Sequence, residues 1–114
     1  MENSRISALK NPSEFLELKK SGHKIKLSAW MTLQWIDHSS SDGLVGVTAS
    51  RKVGSAVIRN KLKRWVKNSV NKEASKSIFY GKKSVFIFKP QEKIFYKKLK
   101  YREFYEIFTK TKFN

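Results

Sequence analysis

Residues 44–67 switch from one hydrophobic period to another, and this switch constrains the fold more than any other stretch of the chain. Apolar side chains first recur at every second residue, as in a strand with one buried face: Val45, Val47 and Ala49. After Gly54, apolar and small side chains recur at helical spacing: Ile58, Leu62, Trp65, Val66 and Ser69. Glycine commonly marks a sharp turn between two such elements. The segment therefore predicts a strand, a turn and an amphipathic helix.

The other side of the predicted helix carries cations and one amide, and we call it the basic face. At about 100° per residue, its members fall opposite the apolar side chains: Arg59, Asn60, Lys63, Arg64 and Lys67. Like charges one helical turn apart repel each other, and solvated helix faces normally mix the two signs. A run of charge is more often only a solvated surface. A basic face without a single acid, however, predicts a polyanionic partner.

The turn before the helix adds to this charge. Ser55 is a suitable N-cap, and the free backbone amides of a first helical turn attract anions. Arg51 and Lys52 come just before them. We therefore expect a second anion-binding region at the start of the helix, continuous with the basic face.

The composition supports a nucleic acid as the leading partner. The 114 residues include 25 Lys and Arg against 9 Asp and Glu, a formal net charge of +16. Such an excess favours nucleic acid first and an anionic membrane surface second. No apolar run approaches the roughly 18 residues of a membrane span, and the polar start does not resemble a signal peptide. We expect a single domain, residues 1–114, in the cytoplasm.

The sequence offers no catalytic or metal-binding constellation. The chain has no cysteine, which excludes thiol catalysis and thiolate metal sites. His23 and His38 each lie in or beside a predicted turn without a nearby nucleophile or carboxylate cluster. The acids are scattered, and no glycine-rich phosphate loop is present. We therefore predict no catalytic residue and no metal site in this chain.

The first half of the chain predicts an arm, a helix and strand structure. Residues 1–10 show no clear pattern and are expected to be an extended arm. Asn11, followed by proline and then glutamate, predicts the start of a short helix, and Gly22 predicts its end. Residues 24–37 alternate imperfectly, which predicts either one long strand or two strands broken near Ser28.

The second half is expected to complete a mixed sheet. A polar loop, residues 37–43, should return the chain as an antiparallel hairpin into residues 44–50. Residues 72–83 predict a connection, and residues 85–88 predict a short apolar strand parallel to residues 44–50. Residues 91–110 predict a closing helix, with an apolar stripe formed by Tyr101, Phe104, Tyr105 and Phe108.

The resulting order, αβββαβα, predicts an α+β fold, a two-layer α-β sandwich with helices against one face of a mixed sheet. The other face of the sheet would be open. Trp30 either lies in the core or stands on that open face, where an aromatic ring beside lysines would stack single-stranded bases. The alternation of residues 24–37 allows both positions.

One stretch resembles a known family signature. Arg51-Lys52-Val53-Gly54-Ser55-Ala56-Val57, followed by Arg59-Asn60 and Lys63-Arg64, resembles the protein subunit of bacterial ribonuclease P. In that family a lysine-rich strand end, Gly-x-Ala-Val and a helix with Arg-Asn-x-x-Lys-Arg occur at this spacing. The remaining layout agrees, with an early helix around Phe15 and Lys89-Pro90 after the short strand.

The resemblance implies a fold and a function. It implies a ribosomal-protein-like sandwich with a left-handed βαβ crossover between residues 44–50 and 85–88, which general chirality rules would not predict. The family protein is the non-catalytic partner of a ribozyme endonuclease. It binds the catalytic RNA subunit and the 5′ leader of precursor tRNA, and it requires neither a membrane nor a protein partner. Leader removal uses Mg²⁺ held mainly by the RNA.

The resemblance also assigns site residues. The RNA-binding residues implied are Arg51, Lys52, Arg59, Asn60, Lys61, Lys63, Arg64 and Lys67. A cleft for the leader, between the first helix and the sheet, would include Phe15, Trp30 and Leu33. The chain departs from the usual family residues at Ala8, Lys19, Leu33, Lys61, Lys67 and Asn68. These departures affect the cleft more than the helix.

Two alternatives from other classes remain at this stage. A structural protein of the ribosome, with a related sandwich, would show the same charge but would need no cleft for a single strand. An amphipathic binder of membranes or of calmodulin-type partners would need Ile58, Leu62 and Trp65 to be exposed. Ribosome co-purification favours the first alternative, and sedimentation with liposomes favours the second.

Overall fold

The computed structural model describes residues 5–113, except for the side chains of residues 73 and 74. The elements in chain order are β1 Ile6–Ala8, α1 Pro12–Ser21, β2 His23–Lys26, β3 Met31–Asp37, β4 Gly43–Ala49, α2 Ala56–Val70, α3 Glu73–Phe79, β5 Lys82–Phe88, α4 Phe95–Lys98 and α5 Tyr101–Phe108. The predicted α+β class is confirmed.

Within the described residues, the strands form one mixed sheet in the order β1-β4-β5-β3-β2. The central strand, β5, runs parallel to β4 and antiparallel to β3, and Phe86 is level with both Val47 and Leu33. The predicted parallel crossover is therefore present, and α2 and α3 form it. The predicted hairpin between β3 and β4 is wrong, because β5 lies between them. The strand β5 is apolar because both of its faces are buried. Val85 and Phe86 point to opposite sides of the sheet and lie in different cores.

The two-strand interpretation of residues 24–37 is confirmed. The chain turns between β2 and β3, which pair as antiparallel neighbours. The Ser28 hydroxyl accepts hydrogen bonds from the backbone amides of Trp30 and Met31, at 3.2 and 3.1 Å. A serine side chain that bonds to the backbone in this way replaces ladder hydrogen bonds and favours a turn.

The main core lies between one face of the sheet and the helices α2, α3 and α5. Its fully buried side chains include Leu33, Leu62, Val66, Phe79, Phe86, Phe104 and Phe108. The face that we expected to be open is partly covered by α1. There Leu9, Leu18 and Val85 form a second, smaller core with Phe15 against it. The helix α1 is amphipathic: its apolar side, with Phe15 and Leu18, faces the sheet, and its opposite side is charged.

The helix caps agree with the sequence. The Asn11 side chain accepts a hydrogen bond from the backbone amide of Ser13 at 3.0 Å, and Pro12 begins α1. Gly22 follows the helix, where a Cβ atom would lie 2.5 Å from the backbone oxygen of Leu18. Glycine is required there for space, since its φ of −73° is accessible to any residue.

Three segments contain more regular structure than predicted. The expected arm includes β1, which pairs in parallel with β4 at the edge of the sheet. The expected connection at residues 72–83 includes α3, because Phe79 is needed in the core, where it contacts Phe86 and Phe108. The expected closing helix is two helices, since the backbone is extended at the buried Leu99.

Candidate nucleic-acid interface

The apolar side of α2 fixes the orientation of the helix. Leu62 and Val70 are fully buried and Val66 is 1% exposed. Ser69 is also fully buried on this side, and its hydroxyl lies 2.7 Å from the hydroxyl of Tyr101 on α5. The two hydroxyls satisfy each other, so the polar atom of Ser69 is compatible with the core. The helix therefore cannot rotate without leaving a buried hydroxyl unpaired.

The basic face points away from the core, as predicted. Four of its five side chains are exposed and Arg59 is half-buried. Within the described part of the chain, the ion pairs join Lys82 to Asp37 and Lys83 to Glu14 and Glu17. None of these pairs uses a residue of the basic face. Its charge is therefore available to a partner.

The start of α2 extends the charged surface. The Ser55 hydroxyl accepts a hydrogen bond from the backbone amide of Ile58 at 3.4 Å, which confirms the predicted N-cap. The turn before it is anchored by the buried side chain of Val53. Arg51 and Lys52 in this turn are both exposed. They lie at the positive end of the helix dipole, where anions are favoured.

Arg59 also shapes this turn. Its Nε donates a hydrogen bond to the backbone oxygen of Gly54 at 3.2 Å, so the guanidinium is held beside the first turn of the helix. A Cβ atom at Gly54 would lie 3.0 Å from the Ile58 side chain. The close approach of turn and helix therefore requires a glycine or a shift of Ile58.

Lys61 does not join the basic face. Its ammonium group donates a hydrogen bond to the backbone oxygen of Tyr96 at 2.9 Å and lies 4.9 Å from the centre of the Trp65 ring. Partial burial lowers the pKa of Lys61. One of the three ammonium donors of Lys61 is therefore held between α2 and the segment around α4, away from the basic face, so its position does not support the implied RNA-binding role. No local pattern signals this contact, because it joins residues 35 positions apart.

The three residues implied for a leader cleft do not lie together. Phe15 packs in the small core under α1. Leu33 is fully buried in the main core on the opposite face of the sheet, so its implied contact with substrate is wrong. Trp30 is half-buried on the main-core side, with its ring centre 6.3 Å from that of Phe88 and 5.7 Å from that of Phe95. Trp30 and Leu33 therefore cannot line one cleft with Phe15.

The face beneath α1 contains other side chains that could line such a cleft. In β3 this face carries Thr32 and Gln34, because strand side chains alternate and Leu33 points into the main core. Both side chains are themselves buried, so the accessible part of this face lies in β2. Lys24 and Lys26 of β2 are level with Gln34 and Thr32 and are exposed. The even-numbered positions Thr32 and Gln34 of the alternating stretch are the sequence signal that could have identified this face.

An ion-pair cluster holds α1 over the sheet. The ammonium nitrogen of Lys83 on β5 lies 3.3 Å from carboxylate oxygens of both Glu14 and Glu17. Burial alone would lower the pKa of Lys83, but the hydrogen bonds and charges of the two glutamates outweigh it and raise the pKa. This cluster fixes the edge of the surface near Phe15.

Residues 5–113 contain neither a cluster of metal ligands nor a membrane-spanning helix. No three His, Asp or Glu side chains in this part of the chain lie together in a way that could hold a metal ion. None of its helices combines the length and the apolar character needed to cross a bilayer.

The fold and the site define a class: a small, strongly basic α+β protein with an unpaired cationic helix face beside its sheet. The family model for ribonuclease P, by its description "Ribonuclease P", matches residues 4–112. The chain therefore belongs to the ribonuclease P protein family.

Two bacterial relatives agree with this membership. The ribonuclease P protein component of Clostridioides difficile (strain 630) is 30% identical over 87 residues, which are 76% of this chain and 75% of that protein. The ribonuclease P protein component of Gluconacetobacter diazotrophicus is 36% identical over 67 residues, 58% of this chain and 57% of that protein.

Solved structures share the fold. The ribonuclease P protein of Thermotoga maritima superposes with a TM-score of 0.76 at 23% identity, over 90% of this chain and 92% of that chain. The ribonuclease P protein of Staphylococcus aureus superposes with a TM-score of 0.72 at 22% identity, over 90% and 89%. These two likenesses support the five-stranded mixed sheet and its helices.

Proposed function

We propose that this chain is the protein subunit of a ribonuclease P ribonucleoprotein and binds its catalytic RNA through the basic face of α2. The holoenzyme would remove the 5′ leader of precursor tRNA in the cytoplasm. The observation that carries the proposal is a helix face of exposed cations that no ion pair within the described residues neutralises. Membership of the family supplies the identity of the polyanion.

The residues of the basic face would contribute to RNA binding in different ways. Arg59 and Arg64 have planar guanidinium groups, which can bind a phosphate with two parallel hydrogen bonds. Lys63 and Lys67 act as point charges beside them. Contacts to phosphates fix position and orientation and carry little sequence information. The helix would therefore hold a folded RNA by its backbone, and Asn60 is the member able to read a base edge.

A second surface would take the leader of precursor tRNA. It lies on the face of the sheet under α1 and includes Phe15 together with Lys24 and Lys26. An aromatic ring beside lysines suits a single strand, since bases stack on the ring and phosphates approach the ammonium groups. The two proposed surfaces lie on opposite faces of the sheet, so one protein could contact the RNA subunit and the leader together.

We propose that the chain itself cuts no phosphodiester bond. The donor set in the described residues does not suit Mg²⁺, which binds carboxylates, because no three acids or histidines come together there. We therefore assign Mg²⁺ mainly to the RNA. The contribution of this chain would be electrostatic: its cations lower the repulsion between the RNA subunit and the precursor, which matters most when Mg²⁺ is scarce.

The test is reconstitution with a bacterial ribonuclease P RNA at a magnesium concentration too low for the RNA alone. We expect the protein to restore cleavage of a precursor tRNA and Arg64→Ala to restore it less well. Lys110→Ala removes the same charge from an exposed position outside both surfaces and is the matched control. Absence of stimulation by the wild-type protein, or cleavage by the protein without RNA, would contradict the proposal.

A further inference from the structure

A groove of about 430 Å³ lies between the edge strand β1, the strand β4 and the helix α2. We call it the β1–α2 groove. Its floor is apolar: the half-buried Val45 and Val47 of β4 form the accessible part, and the buried Val66 and Val70 of α2 lie behind it. The volume is larger than a packing defect in a protein interior, where voids rarely exceed a water molecule. The groove therefore has room for a group of the size of a nucleotide.

The rim of the groove is cationic. Lys63 and Lys67 of the basic face line it on the α2 side, and Lys10 lines it on the β1 side. All three are exposed, and the ion pairs within residues 5–113 use none of them. An apolar floor under a positive rim suits a nucleotide, because its flat base is weakly polar and its phosphate carries negative charge. A second copy of this chain does not match, because it also carries a net charge of +16.

The β1 side adds backbone groups. The backbone amide of Gly43 donates to the oxygen of Arg5, and that of Leu9 donates to the oxygen of Val45. In a parallel pair, odd-numbered residues of β1 therefore turn their backbone groups towards β4. Those of Ile6 and Ala8 turn to the outer edge, which no further strand of the described chain covers. Such groups can hydrogen-bond the edge of a base.

We propose that the β1–α2 groove takes one unpaired nucleotide of the RNA subunit, with its base on the valine floor and its flanking phosphates on Lys63 and Lys67. The inference rests on the proposed function, since it names a contact of the same RNA. The RNA subunit is the source because the groove borders the basic face. Phe15, where we place the leader, packs against the other face of the sheet.

The test fills the groove without changing its charge. Ala8 is exposed and lines the groove, so Ala8→Trp places an indole in it and leaves all three lysines in position. Ser39→Trp adds the same ring to the exposed loop after β3, outside the groove, and is the matched control. Circular dichroism and thermal unfolding of both variants establish that each is folded.

We expect Ala8→Trp to weaken binding of the RNA subunit by about tenfold, the loss typical of one displaced base. The slope of log affinity against log salt should stay unchanged, because no phosphate contact is removed. Lys63→Ala, by contrast, should make that slope shallower by about one unit. Ser39→Trp should bind like the wild-type protein. Wild-type affinity for Ala8→Trp would overturn the proposal.

Base-specific chemical probing of the RNA subunit gives a second readout. The wild-type protein should protect an unpaired base that Ala8→Trp leaves reactive, with the other protections intact. A wild-type protein that dimerises through the groove, shown by an Ala8→Trp variant that becomes monomeric, would also overturn the inference. Failure of the proposed function looks different, since the wild-type protein itself would then bind no RNA subunit.

Discussion

The ammonium group of Lys61 donates a hydrogen bond to the backbone oxygen of Tyr96, 2.9 Å away, and thereby ties α2 to α4. The hydroxyl of Tyr96 lies within hydrogen-bonding distance of the backbone oxygens of Trp30 and Lys89. Burial raises the pKa of Tyr96 well above its usual range, so this hydroxyl remains a donor at any physiological pH. One tyrosine therefore joins α2, the turn before β3 and the end of β5.

Lys61→Met tests whether this lysine serves the fold. We expect a loss of about 1 kcal/mol in the free energy of unfolding, because a charged hydrogen bond to a half-buried carbonyl is removed. The salt dependence of RNA binding should hardly change, since the ammonium group is not on the basic face. Urea denaturation and filter binding measure the two quantities. A stable variant with a shallower salt slope would return Lys61 to the RNA surface.

Arg64→Ala and Trp65→Ala separate the two sides of α2. Arg64 is exposed, so its loss should weaken RNA binding and leave the unfolding free energy nearly unchanged. Trp65 is half-buried, with its ring centre 5.7 Å from that of Tyr101 and 5.6 Å from that of Phe104. Its loss should cost about 2 to 3 kcal/mol of stability. The reverse pattern would mean that the helix faces are exchanged.

Binding of the RNA subunit should depend steeply on salt. The basic face, together with Arg51 and Lys52, offers enough cations for about four to six phosphates. Log affinity should then fall with log salt at a slope on the order of −3 to −5, because bound cations release counterions. Fluorescence titrations at several potassium concentrations measure the slope. A nearly flat dependence would contradict a phosphate-binding role for this surface.

The residues that follow local rules were predictable from the sequence. Ser55 and Asn11 were identified as N-caps because the cap hydrogen bond needs only neighbouring residues. The two sides of α2 followed from the helical period alone. The position of β5 between β3 and β4 could not be derived in this way, because strand order depends on contacts between distant segments.

The candidate sites show the same limit. The basic face could be predicted because all its members lie on one helix. The leader surface could not, since the side of the sheet occupied by α1 is decided by tertiary packing. Leu33 and Trp30 were therefore placed beside Phe15 although they belong to the other face. Lys61 was misplaced for a related reason, as its partner carbonyl belongs to Tyr96.

The pair of Asp37 and Lys82 should make stability depend on acid pH. The hydrogen bond and the charge of Lys82 lower the pKa of Asp37 below its ordinary value of 3.8. A lowered folded-state pKa means that the pair stabilises the fold above that value and loses this effect as the pH falls through the folded pKa. Asp37→Asn should therefore lower the melting temperature at neutral pH, and its difference from the wild type should disappear once the pH has fallen below the folded-state pKa of Asp37. Glu92→Gln, at an exposed carboxylate outside the ion pairs of the described residues, is the control. A constant difference between Asp37→Asn and wild type at all pH values would be inconsistent with this linkage.

Phe15→Ala should affect the leader and not the RNA subunit. Removing a ring on which a base stacks should weaken the affinity of the holoenzyme for a precursor by about tenfold. Affinity for mature tRNA, which lacks the leader, should be unchanged. Leu16→Ala shortens the neighbouring side chain, which is 55% exposed, and serves as the control. Equal losses for precursor and mature tRNA would place Phe15 outside the leader path.

The central place of β5 has a consequence for synthesis on the ribosome. β3 and β4 cannot join the same sheet until Lys82–Phe88 has left the exit tunnel and entered between them. Until then the nascent chain exposes the apolar side chains of β3 and β4, among them Leu33, Val45 and Val47, together with many lysines. Such long-range closure is slow compared with local helix formation. The α2 helix, which ends at Val70, is therefore translated before the sheet that orients it has formed.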